Sequence, residues 1–314
     1  MIILKNKKIV VTGGSGFLGR HVVAELKKHS PADIIIPRSK THDLRLREHC
    51  LQITKGADLV IHLAAHVGGI GLNKDKPGEL FYDNASMGIN LVEACRLNQV
   101  PKTVVAGTIC AYPKFTPIPF KEEELWNGYP EETNAPYGVA KKAILVQLQS
   151  YRKQYGMNGV FVLPVNLYGP YDNFDLYSSH VIPALIRKTH TAIMENKKSI
   201  EIWGDGTPTR EFLYVEDCAE GIVAAALKYD SSEPVNLGNG REISIKDLTK
   251  LIARIMQYGG DFIFDSSKPN GQPRRVIDVR NAKEKFGFSA RTTLEDGLAK
   301  TIEYYQRTYS SERI

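Results

Sequence analysis

Lys8-Ile-Val-Val-Thr12 runs straight into Gly13-Gly14-Ser15-Gly16-Phe17-Leu18-Gly19, and the chain then continues from Arg20 to Lys28. The first five residues are β-rich, and residues 20–28 read as a helix. Strand, Gly-x-x-Gly-x-x-Gly and helix, in that order, form the turn that cradles the pyrophosphate of a dinucleotide. Gly13 permits the tight turn and Gly16 lets the backbone approach phosphate. Gly19 lets the helix pack closely on the strand, and the helix N-terminus faces the anion. Ser15, Phe17 and Leu18 complete the loop, so residues 13 and 15–19 are the first cofactor-binding candidates.

The alternation continues outward. Residues 33–36 read as a second strand, ending in Pro37-Arg38-Ser39. Folds that prefer NAD place an acid there for the ribose 2′-hydroxyl, whereas Arg38 suits the 2′-phosphate of NADP, a solvated surface Arg being the alternative. Asp43 and Leu44 follow, at the place of an adenine pocket. Residues 58–63 read as a third, buried strand running through Leu63 into Ala64 and Ala65, small side chains that leave room for a ligand. His66 comes next, either near the cofactor or satisfied by backbone. A long helix over residues 77–97 puts Phe81, Ala85, Ile89 and Val92 roughly on one face. Residues 102–106 form a fourth strand that delivers Thr108 and Cys110 to the edge where the glycine loop sits. A Pro-rich stretch, residues 113–136, is long enough to be a functional loop. A helix over residues 137–155 and a fifth strand over residues 159–163 complete the pattern. It predicts an α/β fold, a Rossmann-type doubly wound parallel sheet.

Composition narrows the function classes. With 314 residues, about two domains are expected, and 42% hydrophobic residues can fill a core. The net charge of +6 is spread along the chain, with no basic run, which argues against nucleic acid and suits a small anionic ligand. Cys50, Cys95, Cys110 and Cys218 are scattered without a Cys-x-x-Cys, so neither a disulfide framework nor a metal site is expected. There is no membrane-length apolar run and no apparent signal peptide, and a cytoplasmic enzyme is expected.

Tyr137 and Lys141 lie four residues apart, one helical turn on the same face. A phenol beside an ammonium is a tuned acid, since the cation favours phenolate. The second half is less regular. Residues 169–179 form a polar, aromatic loop suited to folding over a ligand, and Ser178 is placed to cap a helix over residues 180–189. Residues 201–203 read as a short strand, in which Trp203 either stacks on a base or sugar or serves as an anchor. Arg210 either clamps a pyrophosphate or pairs with a nearby acid. Helices are expected over residues 215–228, over residues 244–256 with Ser244 and Asp247 close to a capping box, and over residues 294–309. Arg274 and Arg275 read as loop residues. Residues 1–166, with a returning segment 211–237, are expected to form the dinucleotide-binding domain, and residues 167–210 and 238–314 a substrate lobe.

The glycine turn, the Tyr137-x-x-x-Lys141 pair and an upstream hydroxyl resemble the extended short-chain dehydrogenase/reductase superfamily. His-Val-Gly-Gly-Ile from His66, Gly-Thr-Ile-Cys-Ala-Tyr-Pro-Lys from Gly107 and Asn-Leu-Tyr-Gly-Pro-Tyr-Asp-Asn-Phe from Asn166 are more specific. With Ser-His-Val-Ile-Pro-Ala-Leu from Ser179 and Trp-Gly-Asp-Gly-Thr-Pro-Thr-Arg-Glu-Phe from Trp203, they resemble the GDP-L-fucose synthase family. The resemblance implies a 3,5-epimerase/4-reductase acting on a GDP-4-keto-6-deoxy sugar with NADP. Tyr137 would be the proton donor at C4, Lys141 would lower its pKa and hold the nicotinamide ribose, and Thr108 would hold the C4 oxygen. Cys110 and His180 would be the acid/base pair for epimerisation. Asn166, Arg187, Trp203 and Arg210 would bind the GDP-sugar, with Arg275 on the phosphates. A homodimer is implied, pairing through the two helices around residues 81–97 and 137–155.

The implied chemistry is coherent. A C4 ketone acidifies the C3 and C5 protons through an enolate, and inversion needs a base on one face and an acid on the other. A thiol and an imidazole, with reference values near about 8.5 and 6.5, both exchange protons around neutrality. Three positions depart from the family. Thr108 stands where Ser is usual, adding a methyl to the pocket. Ser15 replaces an Arg that helps bind the NADP phosphate, and His66 replaces a Lys. These leave NAD as the alternative cofactor. They also admit a NAD-dependent epimerase without net redox, or another 4-keto sugar nucleotide such as a heptose.

Overall fold

The computed structural model describes residues 2–268, 270 and 272–309. Its first half alternates strands and helices: β1 (Lys8–Thr12), α1 (Phe17–Lys27), β2 (Asp33–Ile35), α2 (Arg47–Thr54), β3 (Leu59–His62), α3 (Ile70–Asp75), α4 (Pro77–Leu97), β4 (Lys102–Ala106), α5 (Ala135–Tyr155) and β5 (Gly159–Pro164). The second half carries β6 (Asn166–Tyr168), α6 (Val181–Met194), β7 (Ser199–Trp203), β8 (Thr209–Tyr214), α7 (Val215–Lys228), β9 (Val235–Leu237), β10 (Glu242–Ser244), α8 (Ile245–Ile255), β11 (Asp261–Asp265), β12 (Arg274–Arg275), α9 (Arg280–Phe286) and α10 (Leu294–Tyr309).

Six strands pair in parallel in the order β2-β1-β3-β4-β5-β9, the doubly wound sheet expected from the alternation. Every residue of β3, β4 and β5 is buried, as a parallel sheet covered on both faces requires. Helix α1 packs with α7, and α4 packs with α2 and α5. One hydrophobic core centres on this sheet, from Ile9, Val10 and Val11 to Val235 and Leu237. A second forms where Tyr168, Ile182, Ile186, Phe212, Leu248 and Leu298 meet, around α6, α8, α10 and the small sheet centred on β8. Among the described residues no helix is long and apolar enough to cross a membrane.

Three local expectations change. On α4 the buried stripe is Leu80, Asn84, Gly88, Leu91, Val92 and Cys95, while Phe81 and Ile89 are exposed. Gly88 sets this rotation, because a Cβ there would stand 2.0 Å from Cδ1 of Ile144 on α5, so the two helices meet at the glycine. Ser178 does not cap α6. The N-cap is His180, without a side-chain bond, and Ser178 Oγ donates to Asp175 Oδ1 at 2.8 Å inside the preceding loop. Arg274 and Arg275 form a strand rather than a loop, because β12 pairs in parallel with β8 and sets Arg275 against Arg210.

Candidate active site

A cavity of about 940 Å³ runs along the carboxyl ends of the sheet strands, where α/β folds place ligands. One end is the glycine turn. Gly13 has φ +71°, and a Cβ on it would stand 2.7 Å from the Ala64 nitrogen. A Cβ on Gly19 would stand 2.0 Å from the Gly13 carbonyl oxygen. Helix α1 begins after Gly16 with no side-chain cap and no acid in its first turn, so its first N–H groups stay open to an anion. The turn therefore fits a dinucleotide. Arg38, Leu63, Ala64 and Ala65 line the same cavity, as do Asp43, Leu44 and His66. Among the described residues Arg38 has no acidic partner, whereas nearby Arg45 is held by Asp43 at 2.7 Å and Asp83 at 3.1 Å. His66 is occupied too, its Nδ1 lying 2.9 Å from Asp83 Oδ2.

The other end is built by the turn after β4 and the start of α5. Thr108 is extended and buried, and its Oγ1 accepts from the Cys110 backbone N–H at 3.1 Å, closing the turn at residues 109–111. Helix α5 lies directly on this turn at Gly138, where a Cβ would stand 2.4 Å from the Cys110 carbonyl oxygen. That contact brings Tyr137 beside Thr108 and Cys110. Lys141 lies one turn on, fully buried, its Nζ donating to the Ala106 carbonyl at 3.0 Å and lying 5.9 Å from the Tyr137 ring centre.

The expected tuning of the phenol by the ammonium is not what the site displays. Burial, with a smaller contribution from Cys110, raises the Tyr137 pKa, and burial lowers Lys141 to about 8. The ammonium is turned to a backbone carbonyl, and removing phenolate from water outweighs a cation at ring distance. Behind them His62 is fully buried, with Nδ1 2.8 Å from Thr12 Oγ1. Burial and the Lys141 charge hold its pKa well below the ordinary imidazole value.

Cys110 and His180 line the same cavity from different cores, His180 standing at the N-cap of α6. The residue as a whole is exposed at the cavity, yet the protein packed around its imidazole lowers its pKa. Asn166 also lines the cavity, its Nδ2 donating to the Glu211 carbonyl at 2.9 Å. The other four substrate candidates lie outside the lining. Arg187 donates to the Phe174 carbonyl at 3.1 Å, bracing the aromatic loop. Trp203 is 62% exposed, with Lys268 Nζ 5.8 Å from its ring centre. Arg210 bonds the Thr209 carbonyl at 2.7 Å, and burial, then the adjacent Arg275, lowers its pKa to about 10. Arg275 reaches the site only through Cys110, with Nη1 3.7 Å from Sγ.

One organising residue gave no sequence signal. Glu211 alternates away from Arg210 on β8 and is fully buried. Its carboxylate accepts from the backbone N–H groups of Asn239 at 2.6 Å, Gly240 at 2.8 Å and Ile277 at 2.8 Å. Burial raises its pKa against the pull of these three donors. Glu211 thereby locks the segment carrying Arg275 to β8. Glu211→Leu would leave three buried N–H groups unpaired and is expected to cost about 3–5 kcal/mol, read as a lower urea midpoint at unchanged slope.

Comparison with known proteins adds the following. Residues 9–238 match the family described as the NAD dependent epimerase/dehydratase family. The GDP-L-fucose synthase of Sinorhizobium fredii is 40% identical, over 97% of this chain and 97% of that protein. Among solved structures, the GDP-L-fucose synthetase of Naegleria fowleri bound to NADP superposes with a TM-score of 0.91 at 29% identity, covering 100% of this chain and 97% of the other. A GDP-6-OMe-4-keto-L-xylo-heptose reductase from C. jejuni superposes at 0.90 with 27% identity, covering 96% and 98%.

Proposed function

The chain belongs to the NAD dependent epimerase/dehydratase family, and on that premise we propose that it is an NADP-dependent epimerase/reductase of a GDP-4-keto-6-deoxy-hexose, as a GDP-L-fucose synthase is. One observation carries the reading: a single cavity gathers the glycine turn, Thr108, Tyr137 and Lys141, and adds Cys110 and His180. A dehydrogenase needs only the first four. A thiol and an imidazole facing the same space supply the proton acceptor and donor that inversion beside a ketone requires.

The roles follow from the chemistry of each group. Residues 13 and 15–19 hold the dinucleotide pyrophosphate, Ala64 and Ala65 leave it space, and Arg38 meets its 2′-phosphate. When bound, NADPH supplies the reducing equivalent for C4. The Tyr137 phenol, kept protonated by burial, gives its proton to O4. Lys141 orients that end of the cofactor, and Thr108 donates to the same oxygen. Before reduction, Cys110 and His180 exchange protons at the carbons beside the ketone. Asn166 is assigned to the substrate from its place in the cavity lining, and Arg187, Trp203, Arg210 and Arg275, which lie outside that lining, are assigned to the GDP-sugar on the family resemblance alone. The nucleotide part is assigned to residues 1–166 with 211–237, and the remainder to the substrate lobe.

The test is NADPH oxidation by purified protein with GDP-4-keto-6-deoxymannose, and absence of oxidation would sink this reading. The similarity to a GDP-6-OMe-4-keto-L-xylo-heptose reductase favours a second reading, the same chemistry on another 4-keto sugar nucleotide such as a GDP-heptose. It gains if that substrate, and not the deoxyhexose, consumes NADPH. Release of NAD from denatured protein would instead select epimerisation without net redox.

The protein is further read as a cytoplasmic homodimer. Phe81 and Ile89 on α4 and Val146 on α5 are 44%, 43% and 46% exposed, a stripe of large apolar side chains on two helices that pack together. A second copy would cover it. Sedimentation is expected to give twice the 35.1 kDa chain mass, and Ile89→Asp to shift it to the single-chain value.

A further inference from the structure

Cys110 is half-buried and lines the cavity, while Cys50, Cys95 and Cys218 are buried elsewhere. Its sulfur lies between two side chains, each held from behind. On one side is Asn134 Oδ1, 3.8 Å away and placed to accept from the thiol. Asn134 Nδ2 donates to Glu131 Oε2 at 2.6 Å, which fixes the amide with its oxygen towards the sulfur. On the other side is Arg275 Nη1, a donor at 3.7 Å. Arg275 Nε donates to Gln272 Oε1 at 2.7 Å, and Gln272 Nε2 donates to the Lys114 carbonyl at 2.9 Å.

This arrangement differs from that of a phosphate-binding arginine. Arg275 and Gln272 are both buried, and neither is among the residues lining the cavity. Among the described residues the Arg275 guanidinium has no carboxylate partner, and its side chain donates to Gln272 and to Cys110. The neighbouring charges add to the same end, since Arg210 stands opposite Arg275 across the β8–β12 pairing. Glu131 is set back behind Asn134, and Tyr137 is beside the sulfur. An N–H donor with a positive charge favours an anionic acceptor, and a carboxamide oxygen favours a neutral S–H.

Building on the epimerase reading above, we propose that Arg275 is a positioning residue for Cys110, its guanidinium set by Gln272 so as to donate to the sulfur and aim it into the cavity. The thiolate takes a proton from the carbon beside the ketone, the C–H electron pair passing into the enolate. The resulting S–H then donates to Asn134 Oδ1. Gln272, Arg275, Cys110 and Asn134 thus form a relay in which both charge states of the sulfur have a partner ready.

Two measurements test this on the full-length protein. Iodoacetamide labelling of Cys110, followed by peptide mass spectrometry near neutral pH, needs no substrate. Arg275→Gln is expected to label about tenfold more slowly than wild type, with Arg275→Lys recovering most of the rate. Gln272→Leu leaves the guanidinium in the chain but unanchored, so it keeps the test alive if the Arg275 variant fails to fold, and it is expected to fall in between. In D2O with GDP-4-keto-6-deoxymannose and no NADPH, deuterium uptake at saturating substrate should fall by the same factor, with KM within about twofold of wild type. Unchanged labelling in both variants would overturn the proposal, as would a raised KM at full turnover, which would return Arg275 to phosphate binding. If wild type took up no deuterium, the epimerase reading itself would fail, and the labelling rates would still decide whether Arg275 governs the sulfur.

Discussion

Tyr137→Phe is expected to lower the rate of C4 reduction by about 10²- to 10⁴-fold, the range supplied by a positioned general acid. The ring stays, so packing against the turn at residues 109–111 is retained, and only the O–H is lost. NADPH oxidation should fall while NADPH affinity holds, because the residues placed on the pyrophosphate and 2′-phosphate are untouched. Deuterium uptake beside the ketone should persist, since Cys110 and His180 remain. A Phe variant that oxidises NADPH at the wild-type rate would remove Tyr137 from the mechanism.

The second large effect is the converse. Cys110→Ala is expected to cut deuterium uptake by about 10²-fold or more while NADPH binding is unchanged. Thr108 keeps its place, because the bond that closes the turn comes from the backbone N–H of residue 110 and not from the sulfur. Protein inactive in exchange yet saturable by NADPH would identify the sulfur as the base or acid of inversion. Exchange at the wild-type rate in this variant would leave His180 without a partner across the cavity and sink the epimerase assignment. Measured together, the two variants separate proton exchange at carbon from proton delivery to oxygen.

What the sequence discloses about this site depends on how local the cause is. The glycine turn is legible because three glycines answer steric demands made within seven residues, and the Tyr137–Lys141 spacing because one helical turn fixes it. The parallel, doubly wound character of the sheet is readable from alternation, whereas the edge strand β9 and the strand order are not, since they depend on pairing between distant segments. Glu211 was missed, since its meaning comes from Asn239, Gly240 and Ile277, which are adjacent only after folding. Asn134 and Gln272 were missed for the same reason, and Arg275 was placed in a loop because its strand has two residues and depends on β8 for pairing. The buried face of α4 is not legible, because Gly88, with no side chain to count as apolar, marks the line of closest approach to α5. The phenol's tuning was misjudged because spacing along a helix does not say where a lysine's ammonium turns, and here it turns to Ala106.

The two hydrophobic cores divide the chemistry unevenly. Thr108, Tyr137 and Lys141 all ride on the first core, through β4, the turn beyond it and α5, so their spacing is as rigid as the sheet. Cys110 belongs to that body as well, but His180 is carried by α6, whose buried face belongs to the second. Under the proposed roles, proton exchange at carbon would draw on residues from both cores, whereas proton delivery to oxygen would draw on one. Two short ties span the gap near His180: the Gly69 backbone N–H on the Ser178 carbonyl at 3.0 Å, and Tyr177 Oη on Asp75. If the proposed roles hold, slackening these ties would detune inversion ahead of reduction, and the ratio of inverted to uninverted product would gauge how firmly the two cores are held together. On that reading, changes on the outer loop would shift the stereochemical outcome while leaving the redox step as it was.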